Sequence, residues 1–84
     1  MSWREKLVAR LKGRPTDFTW DELVRLLEDL GYAEATTGKT GGSRRRFVHA
    51  IAPTIALHKP HPGKIIKMYV INDVLRVLTE EGLI

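Results

Sequence analysis

The sequence predicts an α+β domain, with helices laid on one face of a small antiparallel sheet. Three observations predict it. Both ends of the chain carry apolar residues at helical spacing, and the two stripes nearest the start each follow a serine or threonine capping signature. The middle switches to a two-residue alternation. Prolines and glycines interrupt that middle stretch where no helix could continue. With 84 residues the chain makes one domain with a modest core.

Ser2-Trp3-Arg4-Glu5 reads as a capping box, the serine accepting from the first-turn amides and Glu5 reaching back. Trp3, Leu7, Val8 and Leu11 then fall at helical spacing, and Gly13-Arg14-Pro15 ends the segment. Thr19-Trp20-Asp21-Glu22 repeats the signature ahead of a stripe of Leu23, Leu26, Leu27 and Leu30, with Gly31 as the C-terminal cap. Tyr32 to Thr36 reads as a short strand before the glycine-rich loop from Thr37 to Gly42. Arg44 to Ala50 and Thr54 to His58 read as two more strands, joined through Ile51-Ala52-Pro53. Pro60 and Pro62 exclude helix between Lys59 and Lys64. Val70, Val74, Val77 and Leu78 mark a last amphipathic helix ending at Gly82. No helix remains for the second face of the sheet, which is expected to stay open.

The chain has no cysteine, so disulfides and thiolate metal sites are excluded, and a reducing cytoplasm fits. The opening residues lack the apolar run of a signal peptide, and no stretch approaches the ~20 apolar residues that span a bilayer. A cytoplasmic protein without a membrane partner is expected.

Charge is segregated along the chain. All ten acids lie outside the window from Ala35 to Asn72. That window holds Lys39, Arg44, Arg45, Arg46, Lys59, Lys64 and Lys67, along with His49, His58 and His61. Such a distribution is the footprint of a polyanion-binding face. The bland reading is a solvated basic loop.

Three motifs fall in or beside the window. Residues 33–40, ending Gly38-Lys39-Thr40, match a loose phosphate-binding loop, but that chemistry needs a helix starting at the Lys-Thr, and a basic strand follows instead. His58 and His61 stand three apart, but on a proline-stiffened loop with no acid or cysteine nearby as a third ligand, so no metal site is expected. Ser43-Arg44-Arg45-Arg46-Phe47 is more informative. If Phe47 faces the core, Arg44 and Arg46 face the other way, and His58 joins them if Ile55 and Leu57 also point inward. Planar guanidinium forks suit phosphate. A solvated edge strand whose arginines discourage aggregation is the structural alternative. His49 is expected to pack beside Phe47.

From Leu30-Gly31-Tyr32, through Gly42-Ser43 and Phe47, to the turn at Lys59-Pro60-His61 and the closing Glu81-Gly82-Leu83-Ile84, the sequence resembles the HicA toxin family. The resemblance covers residues 19–84 and leaves residues 1–18 as a helical extension of a single domain. It implies a fold like the double-stranded-RNA-binding domain. It also implies an mRNA-cleaving toxin held by a HicB-type antitoxin. In that family the residue after Gly-Ser is usually a catalytic histidine. Here it is Arg44, a departure within the motif.

Metal-free RNA cleavage by the ribose 2′-hydroxyl needs a base, an acid and cations for the developing charge, and no cofactor. His58 or His61 is the expected proton carrier, since imidazole titrates in the right range. Arg44 and Arg46 would stabilise the pentavalent phosphate. Lys39, Gly42, Ser43, Lys59 and Lys64 complete the expected RNA-binding set, and a 2′-hydroxyl requirement would select RNA over DNA. Two alternatives stay open: an RNA-binding module without catalysis, and an interaction domain docking an acidic partner.

Overall fold

A computed structural model describes residues 2–35, 44–60 and 63–84. Its order is α1 (Trp3–Lys12), α2 (Trp20–Asp29), β1 (Ala33–Ala35), β2 (Arg44–Val48), β3 (Ile55–His58) and α3 (Met68–Glu80). The strands form one antiparallel sheet in the order β1-β2-β3. This is the α+β architecture that the sequence predicts, and it agrees with the double-stranded-RNA-binding-like fold that the resemblance implies. β2 is two residues and β3 one residue shorter than the strands read from the sequence, because pairing stops where the chain turns between them, and Thr36, the expected end of the first strand, lies outside the described residues.

The helix ends show why these segments fold as they do. Thr19 and Glu22 form a full capping box: the Glu22 amide donates to Thr19 Oγ1 at 3.1 Å and the Thr19 amide to Glu22 Oε1 at 2.9 Å. At α1 only the serine half forms, with Ser2 Oγ accepting from the Glu5 amide at 3.2 Å. Gly31 ends α2 in the left-handed region at φ +104°, the Gly31 and Tyr32 amides donating to the carbonyls of Glu28 and Leu27. Gly82 ends α3 the same way. At α1 the left-handed residue is Arg14, at φ +50°, and not the neighbouring glycine. Pro15 follows and has no amide to complete the motif. Arg14 is held by a bond from its Nε to Asn72 Oδ1 at 2.9 Å.

A single core joins all three helices to one face of the sheet. Leu7 and Leu11 from α1, Phe18 from the segment before α2, Leu23, Leu26 and Leu27 from α2, Phe47, Ile55 and Leu57 from the strands, and Ile71, Val74 and Leu78 from α3 are buried in it. Trp3 belongs to the predicted stripe but stays 57% exposed, covered by the Arg25 guanidinium 4.1 Å above its ring. Arg4 ties α1 to the end of α2, donating to the Asp29 carboxylate at 3.1 Å and carbonyl at 2.8 Å. Arg10 reaches Glu22 at 3.1 Å. Burial works against the Glu22 charge. The Thr19 amide, the Arg10 guanidinium and the Thr19 hydroxyl outweigh it and hold the carboxyl below its ordinary 4.5.

Candidate functional site

Strand periodicity and register together build the candidate site. Phe47, Ile55 and Leu57 are buried, so the alternate positions Arg44, Arg46, Ala56 and His58 share the face away from the helices. Register places Arg44 directly opposite His58, and puts Arg46 between Ala35 and Ala56. Directly paired residues have Cβ atoms about 4.5–5.5 Å apart, so the Arg44 and His58 side chains leave the sheet side by side. Arg46 stands between two methyl groups, and nothing in its row shields it. Arg44, Arg46 and His58 are exposed, and their side chains have no partner among the described residues.

Arg45 has a different environment. Its register partner is Leu57, on the helix-facing side, and its Nε meets Glu34 Oε2 at 3.2 Å. The acid-free window is thus not acid-free in space. Glu34 lies one residue before the window and neutralises the middle arginine, while the flanking two face open solvent.

The three histidines also separate. His49 packs on Tyr32, ring centroids 4.8 Å apart, and not beside Phe47 as expected. Its Nδ1 accepts from the amides of Ile51 and Ala52, each at 3.1 Å, so the proton sits on Nε2, which donates to the Leu30 carbonyl at 3.0 Å. Both nitrogens are committed to holding the β2–β3 turn against the end of α2. Tyr32 completes this joint, its hydroxyl donating to the Pro53 carbonyl at 3.0 Å. Burial, with a smaller effect from Glu81, raises its phenol above 10.0. His58 has neither nitrogen committed among the described residues. His61, Lys39, Gly42 and Ser43 lie outside the described residues.

Beyond His58 the chain turns back toward α3 and leaves a cleft of about 240 Å³. His58 and Lys59 line one side, Lys67 and Tyr69 the other. Lys64 is exposed but does not line it; its carbonyl accepts from the Trp20 amide at 2.8 Å. Lys59 also borders a second, shallower groove with Asp21, Glu28 and Glu34. Sequence reasoning counted Lys67 among the cations but assigned it no role, and it missed Tyr69. An exposed aromatic at the start of an amphipathic helix was the available signal. Among the described residues no group of three or more histidines and acids could hold a metal, and no helix is long and apolar enough to cross a membrane.

The family model for the HicA toxin of bacterial toxin-antitoxin matches residues 20–79, more than two thirds of the chain. The chain belongs to the HicA toxin family. No curated protein and no solved structure matches it. The matched span of this HicA-family chain begins at the first residue of α2 and includes the whole sheet and nearly all of α3. Helix α1 and Phe18 lie before it, although Leu7, Leu11 and Phe18 are core residues. As a toxin of a toxin–antitoxin pair, the protein has a cognate antitoxin as its partner.

Proposed function

We propose that this HicA-family toxin is a metal-independent endoribonuclease that cleaves mRNA in the cytoplasm and is held inactive by a HicB-like antitoxin. The observation that supports this most is the outward-facing pair of Arg44 and His58 on adjacent strands, with Arg46 one row along. In the reaction the ribose 2′-hydroxyl attacks the neighbouring phosphorus and the 5′-oxygen leaves. The products are a 2′,3′-cyclic phosphate and a 5′-hydroxyl end.

His58 carries a proton in this scheme, as base to the 2′-hydroxyl or as acid to the leaving oxygen. Its free ring suits that work, whereas His49 has no nitrogen to spare. His61 is the second proton carrier. Arg44 and Arg46 donate to the non-bridging phosphate oxygens as charge develops on them. Lys39, Lys59 and Lys64, with the Gly42-Ser43 backbone, grip the RNA on either side.

The test is incubation of the purified protein with RNA in EDTA, followed by mapping of the ends. Cyclic phosphate ends that vanish in the His58→Ala variant are expected. Cleavage that needs added metal, or that His58→Ala leaves intact, refutes the scheme. A second reading, RNA binding without cleavage, is favoured by Arg44 standing where the family usually has histidine. Intact RNA bound to the basic face would establish it.

A further inference from the structure

The proposed chemistry uses His58 but leaves the cleft beside it without a role. Its floor is made by Ile66 and Val70, both buried, and its rim carries Lys59 and Lys67. Tyr69 supplies an aromatic wall and is 59% exposed. Its neighbours Val70 and Ile71 take the core positions of this turn of α3, so Tyr69 adds nothing to the core. No hydrogen bond holds its hydroxyl among the described residues. Among the described residues its lining contains no acid.

An apolar floor, one exposed ring and two ammonium groups together match one nucleotide of a single strand. The base stacks on the ring and its phosphate lies between the lysines. At about 240 Å³ the cleft is below the usual size for drug-like ligands, which favours a single base over a larger group. His58 lines the cleft and also stands in the row with Arg44, so a base seated here holds an adjoining phosphate beside that pair.

We propose that this cleft is a base-stacking subsite for single-stranded RNA, in which Tyr69 stacks on a nucleobase beside the scissile phosphate and Lys67 binds the flanking phosphate. The inference rests on the reading of the open face as an RNA-cleaving surface. Tyr69 is a positioning residue here: it orders the strand so that the 2′-hydroxyl reaches His58.

The test is a titration of the full chain with a labelled single-stranded RNA whose 2′-O-methyl riboses block self-attack. Tyr69→Ala is expected to weaken binding by about 5- to 150-fold, and Tyr69→Phe to leave it nearly unchanged. Tyr69→Leu keeps apolar bulk without a ring, and should weaken binding even if the alanine variant folds poorly. One abasic position walked along the RNA should abolish the Tyr69→Ala effect at a single site. Lys67→Ala should lower the slope of affinity against salt by about one.

Equal binding by the Tyr69→Ala, Tyr69→Leu and parent proteins overturns the subsite, as does a loss that persists at every abasic position. Tyr69→Ala losing antitoxin affinity while keeping RNA affinity also overturns it, and assigns the cleft to the protein partner. An Arg44→Ala/Arg46→Ala variant keeps the two ideas apart. Loss there without loss at Tyr69 removes the subsite alone, and no loss at either removes the RNA-binding reading as well.

Discussion

Replacing Gly31 with alanine strikes the joint that sets β2 and β3 against α2. An alanine Cβ there would lie 2.8 Å from His49 Nε2 and 3.2 Å from its Cδ2, at a backbone φ of +104°. The left-handed backbone costs a non-glycine residue about 1–2 kcal/mol. The ring cannot give way freely, because its nitrogens hold the Leu30 carbonyl and the Ile51 and Ala52 amides. Breaking the Leu30 bond costs about 1 kcal/mol, and loosening the other two adds a similar amount. The total is about 3–4 kcal/mol, which in a domain this small lowers Tm by at least about 12 °C. Urea and thermal denaturation followed by circular dichroism would measure it. Gly82→Ala is the control, since φ is +73° there but nothing lies within 4 Å of the added Cβ. It should cost only the backbone part. A double-mutant cycle with His49→Ala should recover the difference. If Gly31→Ala and Gly82→Ala cost the same, the steric argument fails.

Four further outcomes follow from the structure. Leu11→Ala, in a helix that precedes the family-matched residues, should cost about 2–5 kcal/mol in a denaturation curve, because Leu11 is fully buried. Because the folded-state pKa of Glu22 is lowered, its contribution is present above pH 4.5 and lost as pH falls through the folded value. The stability gap between the parent and Glu22→Gln should therefore close below pH 4.5, and a gap unchanged down to pH 3 would contradict this. The phenol of Tyr32 is raised, so the opposite limb holds: stability falls as pH rises above 10.0, and Tyr32→Phe flattens that limb. Arg44→Glu/Arg46→Glu should weaken the antitoxin complex in a binding titration, since a partner that blocks this face must meet both free guanidiniums with acidic groups. A complex indifferent to both reversals would place the antitoxin elsewhere.

Much of this was legible in the residues because the relevant physics is local. Capping of α2 depends on two side chains three residues apart, and Gly31 and Gly82 each end a helix through bonds that span at most five residues. The opposed faces of Arg44 and Arg45 follow from the pleat once Phe47 is taken as core. Other features were not legible because they depend on partners distant in sequence. Trp3 lies in a helical stripe yet faces Arg25, and His49 lies close to Phe47 in sequence yet packs on Tyr32.

The sequence by itself determined the order of the elements, the open sheet face and the basic character of its central strand, since period and composition need no tertiary contact to be read. Only the tertiary structure decided which basic groups are available. Register, a non-local property, set Arg44 opposite His58. The return of β1 alongside β2 paired Arg45 with Glu34. The β2–β3 turn and the end of α2 together committed both nitrogens of His49, while the approach of α3 to the end of β3 put Tyr69 and Lys67 across a cleft from His58.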